Sequence, residues 1–193
     1  MAERNDRLNT GNKRDLSISM LRANILALVI GIPAAIVQLN IFIYLHGSHT
    51  VRIDLAALLS MLLFFVVLIG SLFVHELIHG LTWKVLGKKA HVTVTYGFQW
   101  KTLTPYAHLN EPVEINLYRI GGFMPGFVLG ILPYLLSLAL NNNYLLWFGI
   151  IHTIAAGGDW LVLWSLRHEK AGRLVEDHPS RAGCYVIETQ ESG

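Results

Sequence analysis

Cysteine is almost absent from this chain. Cys184 is the only one in 193 residues, so no disulfide can form within the chain, and a structural zinc site built on several thiolates is excluded. Charge is scarce as well. Asp, Glu, Lys and Arg make up 15% of the sequence, against about 25% in ordinary soluble domains. The net charge of +2 is too small to indicate a nucleic-acid partner. No internal repeat or low-complexity tract breaks the chain. What is abundant is apolar: 53% of residues are hydrophobic, and they are gathered in long runs that a soluble core does not need. One domain is expected for this length.

Four runs stand out. Ala23 to Leu45 and Leu55 to Val74 are uncharged, and the second continues as a helix to about Val85. Ile120 to Leu140 is a third, and Tyr144 to Leu166 a fourth, interrupted by the single charge of Asp159. Each is close to or above the ~20 apolar residues that cross ~30 Å of hydrocarbon. The first run follows a polar stretch and has no small-residue cleavage site, so it reads as a span and not as a cleaved leader.

Lys and Arg near the ends of the runs orient them. Arg4, Arg7, Lys13, Arg14 and Arg22 precede the first run. Lys84, Lys88, Lys89, Lys101 and Arg119 fall between the second and third, and Arg167, Lys170, Arg173 and Arg181 follow the fourth. The other two connections hold only Arg52 and none. Both termini and the middle connection are therefore expected in the cytoplasm, in a multi-pass protein of the cell membrane. In that middle connection, His91 to Tyr96 alternates polar and apolar as a half-buried strand does. Gly97 punctuates it, and Phe98 to Leu103 is the expected partner strand. The expected fold is thus an all-α membrane protein of four transmembrane helices, with a small cytoplasmic-face β-hairpin between helices two and three. The membrane-embedded domain is expected over 21–168, flanked by polar cytoplasmic tails at 1–20 and 169–193, the latter mostly irregular.

The chemistry is concentrated in His75-Glu76-Leu77-Ile78-His79, the HExxH pattern of zinc metalloproteases. Residues i and i+4 share a helix face, so His75 and His79 can hold one ion. Glu76 is near enough in rotation to act on a zinc-activated water as general base. A catalytic zinc takes three protein ligands and leaves one position open. Asp159 is the candidate for the third, because an ionisable residue inside a span costs at least ~2.5–3.5 kcal/mol on insertion scales and is functional by default. Depth agrees. His75 lies nine residues before Lys84 and Asp159 eight before Arg167, which is roughly 12–14 Å from each cytoplasmic anchor. Glu111, Glu114 and His152 stay open as alternatives for that ligand. His152, seven residues before Asp159 on the same face, is a candidate for polarising a scissile carbonyl or supporting a ligand; a hydrogen-bonded interior histidine is the competing reading. Val92 and Val94 are candidates for holding an extended substrate by strand addition.

His75 to Gly80, Pro105 to Pro112, Tyr118-Arg119 with Pro125, and Gly158-Asp159 together resemble the zincin peptidases of bacterial membranes. That family is similar in pattern to site-2-type intramembrane zinc metalloproteases. The resemblance covers about Leu55 to Leu166. It implies Zn2+ held by His75, His79 and Asp159, Glu76 as catalytic base, and a hairpin near the active site. The expected function is a zinc-dependent intramembrane or juxtamembrane endopeptidase acting on a transmembrane or membrane-proximal polypeptide. The alternative is a membrane metal-binding or transport protein without hydrolysis.

Overall fold

The computed structural model describes residues 13–48, 58–87 and 91–188. Arg4, Arg7, Arg52, Lys88, Lys89 and the start of the second run at 55–57 lie outside the described residues. Helix α1 is Met20–His46 and α2 is Leu58–Leu86. The third run folds as α3 (Ile115–Pro125), a π-helical stretch over Gly126–Ile131, and α4 (Leu132–Leu140). The fourth is two helices, α5 (Asn143–Ala155) and α6 (Gly157–Ser165), bent by 40° at Ala156. Three helices are long and apolar enough to cross a membrane, and the bent pair makes a fourth if it is counted as one span.

Local sequence explains the boundaries. The Ser19 hydroxyl accepts from the Arg22 amide and caps α1, which ends at Gly47 with φ 84°, a backbone conformation open to glycine. The Glu114 carboxylate accepts from the Asn116 and Leu117 amides and caps α3. Asn141, with φ 48°, closes α4, and the Asn142 side chain caps α5. Pro125 and Pro133 flank the π-helical stretch. Without their N–H groups the regular i to i−4 ladder cannot run through it.

The apolar surfaces of α1 and α2 face outward. Only 11% of the most hydrophobic window of each is buried, against 33% in the third span. Helix α1 packs along α5 and α6, and α2 packs along α3. The first contact is close because it is made at glycines. A Cβ on Gly31 would stand 2.7 Å from Ile154 Cα, and one on Gly157 would stand 2.9 Å from Ala27 Cα. Small residues let helix backbones approach in this way.

Two antiparallel sheets accompany the helices. Strands β2 (Val94–Gln99) and β3 (Thr104–Leu109) form the hairpin between α2 and α3, with Val94 opposite Leu109 and Gln99 opposite Thr104. The strands start a few residues later than the alternation suggests, because Thr102 closes a turn onto the Gln99 carbonyl. The other sheet has the order β1-β6-β5-β4. Its strands are β1 (Lys13–Asp15), β4 (Val113–Glu114), β5 (Leu174–Asp177) and β6 (Cys184–Ile187). The all-α expectation is corrected here, as is the irregular carboxyl tail. Val175, Cys184, Val186 and Ile187 are buried, and the first three join a core with Trp83, Leu109, Val113, Ile115, Tyr118 and Leu166. A few alternating apolar residues in a polar tail are enough to seat it on the helix ends.

Candidate metal centre and active site

Helix α2 turns His75 and His79 to one side, and both are buried. Opposite them stands Asp159, in the first turn of α6. The break at Ala156 sets this position, since it gives Asp159 a helix start of its own, where exposed amides and the helix dipole favour a carboxylate. Gly157 fixes the start of α6 against α1, while a Cβ on Gly158 would meet nothing within 4 Å. The next side chain reaches the histidines. His75 Nε2 lies 3.0 Å from Asp159 Oδ2, and His79 Nε2 lies 3.4 Å from Oδ1.

The donor set suits zinc. Ligand atoms of His75, His79 and Asp159 all lie within 4.8 Å of one another. An ion about 2.0–2.2 Å from three tetrahedral ligands needs them roughly 3.3 Å apart, close to the separations seen. Two neutral imidazoles and a carboxylate are ligands that zinc accepts. Among the described residues this is the group of three that could hold a metal. His79 is further fixed by its other nitrogen, Nδ1, which lies 2.8 Å from the Gly121 carbonyl oxygen. Its ring also stacks on Trp83, at 5.3 Å and 18°.

Glu76 lines a cavity of about 310 Å³ together with His75, His79 and Asp159. The Ala107 backbone amide is hydrogen-bonded to its carboxylate. Gly80, directly after the second histidine, has no room for a Cβ because the Tyr96 hydroxyl fills the space. Burial and the Glu76 charge push the Tyr96 phenol above its ordinary pKa, so it remains a proton donor at neutral pH.

The hairpin wall of the cavity is β3. Gln99 and Thr104 to His108 line it, and Val92 and Val94 do not. Val92 is part of the buried core and Val94 packs on that core. Asn110 donates to the Thr93 carbonyl, and with the register this pairing turns the amides of Ala107 and Leu109 away from β2. The Ala107 amide meets Glu76. The Leu109 amide donates to Asp177 Oδ2 at 3.0 Å.

Asp177 was not singled out by the sequence. It closes the cavity from the carboxyl-terminal sheet, and Oδ1 accepts from the Tyr118 hydroxyl at 2.7 Å. Burial raises its carboxyl pKa, opposed by the Leu109 and Tyr118 hydrogen bonds. Tyr118 stacks on Trp83. Trp83 is four residues beyond His79, so helical spacing was the available signal for that contact.

The other candidates lie elsewhere. His152 is fully buried, with Nε2 2.6 Å from Ser71 Oγ. Ser71 donates to the Leu68 carbonyl, so the ring N–H donates to Ser71. His152 does not line the cavity. Glu111 is tied to Thr93 at 2.7 Å, and Glu114 caps α3 and holds the Gly172 amide. None of the three joins the His75, His79 and Asp159 group.

No curated protein and no solved structure matches the chain. A family model described as "Putative zincin peptidase" matches residues 68–174, more than half of the 193 residues. That stretch begins within α2 and ends at the first residue of β5, so it contains all three candidate ligands and Glu76. A zinc-type donor set inside the matched stretch accords with its description, and the chain belongs to this zincin peptidase family.

Proposed function

We propose that the protein is a zinc-dependent endopeptidase acting within or beside the membrane, akin to the site-2 type. One observation carries the reading. Two segments 84 residues apart bring two imidazoles and a carboxylate to one point among apolar helices. His75, His79 and Asp159 would hold the ion. Bound zinc supplies a Lewis acid that polarises a carbonyl and lowers the pKa of water to about 7.

Glu76 accepts a proton from the attacking water and passes it to the leaving nitrogen, so the peptide C–N bond breaks with the amine released neutral. The cavity admits that water to a depth that lipid would otherwise keep dry. The substrate is a membrane-associated polypeptide whose amides must be exposed before attack. The edge of β3 turned away from β2 presents the Pro105 and Ala107 carbonyls beside Glu76, which holds the Ala107 amide, and those carbonyls can accept hydrogen bonds from such a segment laid alongside as an extended strand. We place the substrate there and not at Val92 and Val94, which turn to the core.

The topology belongs to the same proposal. Strand β1 precedes α1 and pairs with β6, which follows α6. Paired strands share one side of a membrane, which supports an even number of crossings, with the bent α5–α6 pair as the fourth. The distribution of Lys and Arg makes that side cytoplasmic.

The test is metal content and substrate abundance together. Purified wild-type protein should carry zinc, and His79→Ala and Asp159→Ala should lose most of it. Membrane proteomes of cells with wild-type protein and with Glu76→Gln should differ in at least one intact membrane polypeptide. Full zinc in Asp159→Ala would move the third ligand elsewhere. A second reading, metal binding or transport without hydrolysis, draws on two polar pairs between the apolar helices, the buried Ser71 with His152 and the half-buried Gln38 with Thr153. It predicts that Glu76→Gln leaves function unchanged.

A further inference from the structure

We infer that Pro125 is a positioning residue for the metal site: by removing one backbone N–H from α3, it reserves the Gly121 carbonyl for His79. In an α-helix the amide of residue i bonds to the carbonyl of residue i−4. The carbonyl four residues before 125 is that of Gly121. Proline has no N–H to give it. The next amide does not substitute, since Gly126 N–H goes to the Phe123 carbonyl. Gly121 and Pro125 are buried, so the freed carbonyl cannot turn to water, and a buried acceptor without a donor is costly. His79 Nδ1, at 2.8 Å, supplies the donor.

The consequence falls on the other ring nitrogen. With the proton held on Nδ1, the lone pair of His79 is on Nε2, the atom that faces Asp159. A carbonyl partner on the far nitrogen fixes a metal-binding imidazole in tautomer and orientation. Gly121 serves the same end sterically. The Trp83 indole occupies the space a Cβ would need there, and that indole stacks on the His79 ring. The Gly121 carbonyl of α3 thus holds His79 by its edge, the Trp83 indole seated over Gly121 holds it by its face, and the proline makes the edge contact exclusive.

The inference rests on His79 being a zinc ligand, and a single set of measurements separates the two claims. Zinc affinity is measured by competition with a chelator on the full chain in lipid nanodiscs. Pro125→Ala is a better helix former and returns an N–H that competes for Gly121. It should fold as well as the wild type yet bind zinc about tenfold more weakly. Lactic acid at position 125 keeps the alanine side chain but has an ester oxygen in place of the N–H. It should restore affinity to within about twofold of wild type, which a role for the proline ring alone would not allow. Should Pro125→Ala fail to fold, glycolic acid in place of Gly122 makes the Gly121 carbonyl an ester, a weaker acceptor, and should lower zinc affinity with Pro125 intact. Wild-type affinity in Pro125→Ala, no rescue by lactic acid, or no loss with glycolic acid would each overturn the inference. A wild-type chain that binds no zinc would overturn the metal reading instead.

Discussion

The helices and the sheet built from the two tails treat charge in opposite ways. Between α2 and α6, His75, His79 and Asp159 face one another out of bulk water, and each is turned toward the same point. In the tail sheet, Lys13 pairs with Glu176 at 2.7 Å, Arg14 with Glu169, and Arg181 with Asp15 at 3.5 Å, and their basic side chains remain well exposed. Water serves those surface groups nearly as well as their partners do. Among apolar helices water reaches such groups only through the cavity, so a titratable group there is expected to have a partner and a task. The candidate metal group is therefore a stronger pointer to function than the ion pairs of the sheet.

The largest expected effect tests the task itself. Glu76→Gln should lower turnover of a cleaved peptide by about 10²–10⁴ and leave zinc in place; unchanged kinetics would end its assignment as base. Asp159→Ala should come next, reducing zinc from about one ion per chain to a small fraction when metal is measured by mass spectrometry. The third concerns neighbouring glycines with opposite surroundings. Gly157→Ala drives a methyl into the Ala27 backbone and should lower stability by about 1–3 kcal/mol. Gly158→Ala enters open space and should not, whereas Gly158→Phe should obstruct the cavity it lines and slow cleavage with zinc retained. Equal thermal shifts for the two alanine variants would remove the packing argument. The smallest effect belongs to the sheet. Lys13→Ala should change stability by less than about 1 kcal/mol, less still in high salt, and a larger loss in a melting experiment would break the contrast between the regions.

The same contrast explains what could be read from the sequence. The four runs and the three candidate ligands were legible because a lipid-facing segment tolerates so few polar residues. The kink at Ala156 was not, since nothing in Ala155-Ala156-Gly157 breaks a helix outright. It still mattered, because it makes Asp159 a first-turn residue. The partner of His79 was hidden for another reason. Pro125 was visible, but the carbonyl it leaves free belongs to the backbone and has no letter of its own. The sheet escaped notice because its pairings join Lys13 to Ile187 and Val113 to Val175, and strands of two to four residues carry too little periodicity to announce a partner so far away. Val92 and Val94 illustrate the limit of alternation. It identified a hairpin but not which strand would border the cavity.

The turn between β5 and β6, from His178 to Gly183, forms part of the cavity wall, and it leaves the ribosome after α1 to α6 have been made. During translation the imidazole pair and its aspartate are complete before this wall exists. A nascent or prematurely terminated chain would present the metal site without its enclosure, and a protein extension grafted beyond β6 would emerge beside the strand that supports the wall. The order of synthesis thus leaves the candidate site without this wall until the last strands have docked, which ties its enclosure to the final folding step.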